Sequence, residues 1–370
     1  MGLLWDRKTR DWYEREHLLK QRIANTPPMR WAPQEIKNPY LPAIEPALRM
    51  SDWGELQRQY DRLGSMARAQ WVYSLQAAIE VVGCTVQQLN SAHAFGSMAG
   101  HVAAIAIAEH IAEEARGRGQ VEDVPQENLD RYLDFHMHAL ELAREAWESS
   151  SGTDVTPLVQ GQGAVPILGR EAIDAWAQGW REHDPWNVLG WRHLMRFLDH
   201  RWHGTWESLP EMAHHLVNNA PAGHPLVPFA CRVLGHHWNT LLTWGDCSPK
   251  KADALTFLSD DGQKLVSTAL ERFVSSARPG PFAFQAWDWL WFGAFAAERH
   301  SWFVWLDAHQ QGMITSEVWT EIPFRDQLKG LNARRREILH LRSRYERPLH
   351  EDRWERIKWG FEGPPPKPGE

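Results

Sequence analysis

Several things are scarce in this 370-residue chain, and each shortage excludes something. Cysteine is rare: Cys84, Cys231 and Cys247 are an odd number, far apart and without a Cys-x-x-Cys pair. No disulfide framework is expected, and a reducing, cytoplasmic setting is. Long apolar runs are missing. The longest, Val102 to Ala108, lies between His101 and Glu109 and is too short to span a bilayer. The stretch Met1 to Arg10 is charged and has no apolar h-region, so no secretory signal is expected. Alternation of the strand type is lacking from residue 51 to 150. Catalytic signatures are missing too. There is no Gly-x-Ser-x-Gly elbow and no His-Glu-x-x-His, and Gly161-Gln162-Gly163 is followed by no Gly-Lys-Ser/Thr.

What is abundant is tryptophan, 22 in all, 14 of them between Trp176 and Trp319. Some recur in register. Pro185 is followed by Trp191, Leu194 and Trp206, and Pro281 at the same distances by Trp287, Leu290 and Trp302. A shift of 96 residues superimposes these four positions, a pattern that belongs to stacked helical hairpins. Most of these tryptophans are expected to be structural, and Trp191, Trp206, Trp287 and Trp302 to be largely buried.

The net charge is −7, unevenly spread. Residues 1–50 and 321–370 each carry +3, leaving −13 on the middle. An acidic body argues against a protein that coats nucleic acid. Six prolines between Thr26 and Pro46 predict an extended segment packed through Trp31 and Tyr40. Helical stripes follow: Trp53, Leu56, Tyr60 and Leu63, with a cap at Asp52 and Glu55; then Trp71, Leu75, Ala78 and Val82, stopped near Gly83. Ala92 to Arg116 is Ala-rich, and Pro125 opens a helix with Leu129, Tyr132, Leu133, Met137 and Leu140 facing inward. Six segments are expected: an N-terminal arm and Pro-rich stretch over 1–50, a helical lobe over 51–150, a Ser/Gly/Thr/Pro linker over 151–169, a repeat region over 170–320, a basic helix over 321–362 and a tail over 363–370.

The repeat region resembles the tetratricopeptide pattern, in which a proline closes one repeat and Trp, Leu and Gly open the next at six, nine and ten residues. Pro185-Trp191-Leu194 and Pro281-Trp287-Leu290 fit without the glycine; Pro225 fits through Leu234 and Gly235, with Cys231 in place of Trp. The segment from Arg201 to Ala213 is similar to a helix–turn–helix stretch of uncharacterised bacterial helical-repeat proteins. The resemblance covers roughly 170–320, and its starts are spaced 40 and 56 residues rather than at a fixed interval. It implies an all-α fold, with antiparallel hairpins stacked as a tetratricopeptide-like α-solenoid beside the helical N-terminal lobe. It further implies a concave groove lined, after Pro185 and Pro225, by Arg192, Arg196, His200, Arg232, His236 and Asn239. Arginine supplies paired donors for carboxylates and asparagine can clamp a main chain.

The function these features favour is non-enzymatic binding of a protein or peptide, an acidic segment in particular, with no cofactor, no metal and no membrane contact. One alternative is a histidine-rich enzyme of unknown chemistry, metal-dependent in one version. Its candidate clusters are His136/His138, His193/His200/His203, His214/His215 and His236/His237, with Glu211-x-x-His214 the one Glu-x-x-His among them. Another alternative is a nucleic-acid accessory protein acting through the C-terminal helix, where eleven Lys/Arg lie between Arg325 and Lys358 but six acids dilute the field. Cys231 near His236 reads as a buried, inert thiol.

Overall fold

The computed structural model describes residues 29–117, 123–310 and 313–315. The charged arm expected before residue 22, and the basic helix and tail expected after 321, lie outside the described residues. The fold is all-α. The strands among the described residues are β1 (Arg30–Trp31) and β2 (Met313–Ile314), paired in parallel. Contacts divide the chain into two units. Unit I comprises Pro33–His215 with Arg278–Phe284. Unit II holds the described residues 29–32, 216–277 and 285–315.

Unit I is built from α1 (Gln34–Lys37), α2 (Leu41–Arg49), α3 (Trp53–Asp61), α4 (Ser65–Val82), α5 (Val86–Phe95), α6 (Met98–Arg116), α7 (Gln126–Ser149), α8 (Thr156–Gly161), α9 (Arg170–His183) and α10 (Val188–Phe197). The boundaries follow local chemistry. The Asp52 side chain accepts from the Glu55 N–H at 2.9 Å and opens α3. Thr85 and Gln88 form a reciprocal capping box at α5. Gly83 ends α4 in the left-handed region at φ 69°. Trp53, Leu56 and Tyr60 on α3 are buried, as are Trp71, Leu75 and Ala78 on α4. The centre is α6, whose Ala99, Val102, Ala103, Ile105, Ala106 and Ile107 are all buried. Its small side chains let α7 lie close along it.

Four expectations need correction. The Pro-rich segment is not simply extended: α2 runs through Pro46, with Pro42 in its first turn where the missing N–H costs nothing. Burial of Leu41, Ile44, Ala47 and Leu48 outweighs the donor lost at Pro46. The α7 face differs too. Leu133 and Met137 are exposed, while His136, Ala139, Leu140 and Ala143 are buried. The expected linker, 151–169, is packed inside unit I. It forms α8 and a 3₁₀ turn at Val165–Leu168, with Val159, Gln160, Gln162, Ala164 and Val165 almost fully buried. Asp154 clasps it to α3 and α4: its Oδ2 accepts from the Tyr60 hydroxyl at 2.7 Å and from Arg68 Nη1 at 2.8 Å. Of the matched tryptophans, Trp191 and Trp302 are buried and Trp287 is half-buried, but Trp206 is 36% exposed because it lies in a turn and not inside a helix pair.

Helix α11 (Ser208–Asn219) spans the division. Unit II continues with α12 (Leu226–Trp244), α13 (Pro249–Leu255), α14 (Asp260–Val274), α15 (Ala283–Ala296, of which Gln285 onward belongs here) and α16 (His300–Gln310). Its core is aromatic: Phe229 meets Trp289 edge-on at 5.0 Å, and Phe257 meets Phe292 likewise at 5.6 Å. Arg272 of α14 closes the end of α11 by donating to the Val217 carbonyl and, at 2.7 Å, to the Ala220 carbonyl. A cation there satisfies the last carbonyls of the helix.

Candidate functional site

Helix α10 begins where the Asn187 side chain accepts from the Leu189 and Gly190 N–H groups at 3.1 and 3.2 Å. Its inner stripe, Val188, Trp191, Leu194 and Met195, is buried. The Trp191 indole N–H donates to the Pro185 carbonyl at 2.8 Å, which gives the Pro–Trp spacing a local cause at this position. With that stripe inward, Arg192 and Arg196, one turn apart, share another face. The guanidinium of Arg192 lies over the Tyr73 ring of α4 at 4.2 Å, and that of Arg196 over the Trp202 ring at 5.5 Å. A guanidinium over an aromatic face gains a cation–π attraction that helps to hold it there.

His200 was expected on the same helical face. The helix ends at Phe197, so His200 lies in the turn beyond it. There its ring stacks on Trp206 at 3.6 Å, and its Nδ1 is 3.3 Å from an Asp199 carboxylate oxygen. Asp199 is fully buried and organises the turn. It accepts from Arg201 through the main-chain N–H at 2.9 Å and through Nε and Nη2 at 3.0 and 2.8 Å. Gly204 closes the turn, with its N–H donating to the Asp199 carbonyl at 3.2 Å. A Cβ on Gly204 would fall 1.8 Å from the Leu198 carbonyl oxygen. Gly204→Ala should therefore cost about 2–3 kcal/mol, at the upper end of overpacking. Urea titration checks this, and an unchanged midpoint would refute the tight closure.

Arg196 makes its one side-chain hydrogen bond among the described residues to Glu113 of α6, at 3.4 Å. Both side chains remain open to solvent, at 52% and 41% exposure. Around this pair lies a set of titratable groups. Glu109, one turn before Glu113, is half-buried, with its Oε1 shut off from solvent and its Oε2 accepting from Gln160 Nε2. Burial holds its acid form well above the usual carboxylate range, against the opposing effect of the Gln160 hydrogen bond. His136 of α7 is 2% exposed, packs edge-on to Tyr132 at 4.4 Å, and has no hydrogen-bond partner at either ring nitrogen among the described residues. Burial pushes its pKa down to about 4. His193 has its Nε2 enclosed and stacks on Phe197; burial, then Arg192 and Arg196, lower it to about 3.

The remaining three candidates, Arg232, His236 and Asn239, are half-buried along α12 in unit II, so the six candidates divide three and three between the units. Among the histidine clusters, His215 lies against Trp186 and Trp191, His203 Nε2 is 3.0 Å from the Pro166 carbonyl, and His237 is buried. Among the described residues, no group of three or more His, Cys, Asp or Glu is arranged to hold a metal ion. Cys231 is fully buried and its thiol is pushed up to about 12 by desolvation. No described helix is long and apolar enough to cross a membrane.

Sequence reasoning picked out the arginines but not what they rest on. Tyr73 and Glu113 come from helices distant in the chain and carry no local signal. Trp202 stood in the tryptophan-rich turn, where its neighbours gave no sign of the stacking.

No protein-family model matches the chain, no curated protein matches it, and no solved structure does.

Proposed function

We propose that this is a non-enzymatic binding protein that receives an acidic segment of a partner protein or peptide on the Arg192–Arg196 face. The observation that carries the reading is the pair of aromatic-backed guanidinium groups, over Tyr73 and Trp202, one helical turn apart. A guanidinium carries its donors in a planar fork, the arrangement that carboxylates accept best. Trp202 and Trp206, 39% and 36% exposed, add amphipathic contact area beside the charges. Arg232, His236 and Asn239 form a second polar stripe, half-buried along α12 in unit II. The stacked helices and the 96-residue register favour a divergent tetratricopeptide-like array as the scaffold. The unpaired cysteines fit a reducing, cytoplasmic compartment.

Fluorescein-labelled hexaglutamate is a direct probe. Arg192→Ala/Arg196→Ala should keep the wild-type melting midpoint and weaken binding by about 1.5–3 kcal/mol per charged hydrogen bond lost. The wild-type affinity should fall with added salt over the 0.05–0.5 M range, as exposed charges are screened. A folded double variant that binds hexaglutamate as tightly as the wild type would refute this site. Arg232→Ala/His236→Ala, read in the same assay, reports on the stripe of unit II by itself.

A further inference from the structure

We infer that the outer face of α7 in unit I is a second docking surface, which receives a basic amphipathic helix of a partner protein. It is independent of the arginine face. Leu133 and Met137 are one turn apart on α7 and 44% and 42% exposed, although their hydrophobicity would favour turning them inward. A single exposed leucine needs no explanation, but here two large side chains line up along one helix. At about 100° per residue, the buried His136 and Leu140 flank this pair on one side. Asp130, Asp134 and Glu141, all exposed, flank it on the other. Apolar surface thus runs outward from the core and stops at an acidic edge.

These acids are not neutralised within the unit. Asp130 accepts from Gln126 Nε2, a neutral donor, at 2.7 Å, and neither it nor Asp134 forms an ion pair among the described residues. Glu141 meets His138 only at 3.8 Å and keeps 72% of its side chain in water. The two arginines of the helix lie over rings, Arg131 over Phe135 at 5.7 Å and Arg144 over Trp176 at 5.8 Å. With six acids against those two arginines, α7 carries a formal charge of −4. The sign selects the occupant. Phosphate backbones and anionic lipid surfaces are repelled. A second copy meeting this face with its own would set acid against acid. A helix with apolar residues one turn apart, and lysine or arginine along the adjoining edge, covers Leu133 and Met137 and brings cations to the acids.

The test uses the full chain and a fluorescein-labelled helical peptide of about 15 residues, leucine on one face and lysine on the other. The wild type should bind it, and less tightly as salt rises. Leu133→Ser/Met137→Ser should keep the wild-type melting midpoint within a few degrees and weaken binding about tenfold, the loss expected for the apolar area of two half-exposed side chains. Asp130→Asn/Asp134→Asn should weaken it about two- to tenfold and flatten the salt dependence. Asp260→Asn/Asp261→Asn removes the same charge from an exposed stretch of unit II and should leave the affinity unchanged. Equal losses in the two aspartate pairs, or full binding by Leu133→Ser/Met137→Ser, would overturn the inference, since net charge alone would then hold the peptide. Equally tight binding of the same peptide with glutamate in place of lysine would overturn it too, as would no binding by the wild type. Self-association of the wild type, read by analytical ultracentrifugation and abolished in Leu133→Ser/Met137→Ser, would put a second copy in place of the basic partner.

Discussion

Replacing Trp180 by alanine should destabilise the protein by about 3–5 kcal/mol, the range for removing a buried indole. Trp180 is fully buried on α9. Its N–H donates to the Gln162 side-chain oxygen at 2.6 Å, and its ring meets Trp191 edge-on at 6.0 Å. Gly190 of α10 lies so close that a Cβ there would be 2.8 Å from the ring. One side chain thus joins α9, α10 and the packed segment around Gln162. Truncation opens a cavity and leaves the buried Gln162 oxygen without its donor, which adds about 1–3 kcal/mol where no water enters. Trp180→Phe keeps most of the volume and isolates the hydrogen-bond part. Urea unfolding followed by circular dichroism reads both. An alanine variant within 1 kcal/mol of the wild type would show that Trp180 is not the keystone of this packing.

The second large effect is an acid-dependent loss of stability centred on His136. Its pKa is depressed in the folded state, from 6.5 to about 4, because burial disfavours the imidazolium, and neither nitrogen has a hydrogen-bond partner among the described residues. The unfolded chain binds the proton more readily, so stability falls as pH drops below 6.5 and levels off below about 4. At about 1.4 kcal/mol per unit, the wild type should lose on the order of 3 kcal/mol between pH 7 and pH 4 relative to His136→Leu. Glu109 works with the opposite sign. Its folded pKa is raised, so its contribution is fully present below its ordinary value of 4.5 and is lost as pH rises through the higher folded value. The wild-type curve alone would blend the two. The difference between the wild type and His136→Leu isolates the histidine, and two parallel curves would sink the assignment.

What the sequence made legible was what local periodicity and capping determine. Trp53, Leu56 and Tyr60 form a buried stripe, Asp52 and Gly83 mark a start and a stop, and Pro125 opens α7. Choices made by distant packing were hidden. On α7, hydrophobicity favoured Leu133 and Met137 as the inner face, yet the close approach of α6 turns His136 and Ala139 inward. The 151–169 stretch has a linker's composition, but Asp154 and Gln160 find buried partners 94 and 51 residues away, and no pattern within the stretch could announce them. At the site, arginine spacing was readable. The end of α10 at Phe197 was not, and it moved His200 from the helix into the turn organised by Asp199.

The Asp154 clasp also bears on how unit I comes together in time. In a simple array of repeats, each contact joins neighbours and folding can spread outward from any point. Tyr60 and Asp154 are 94 residues apart, and Arg68 and Asp154 are 86 apart. Closing so long a loop is entropically costly until the helices between have condensed, so contacts of this reach tend to form late. Interactions made after the rate-limiting step leave the folding rate nearly unchanged and slow unfolding instead. Three side chains that add little to the site itself therefore act as a latch on the lifetime of the unit that carries it.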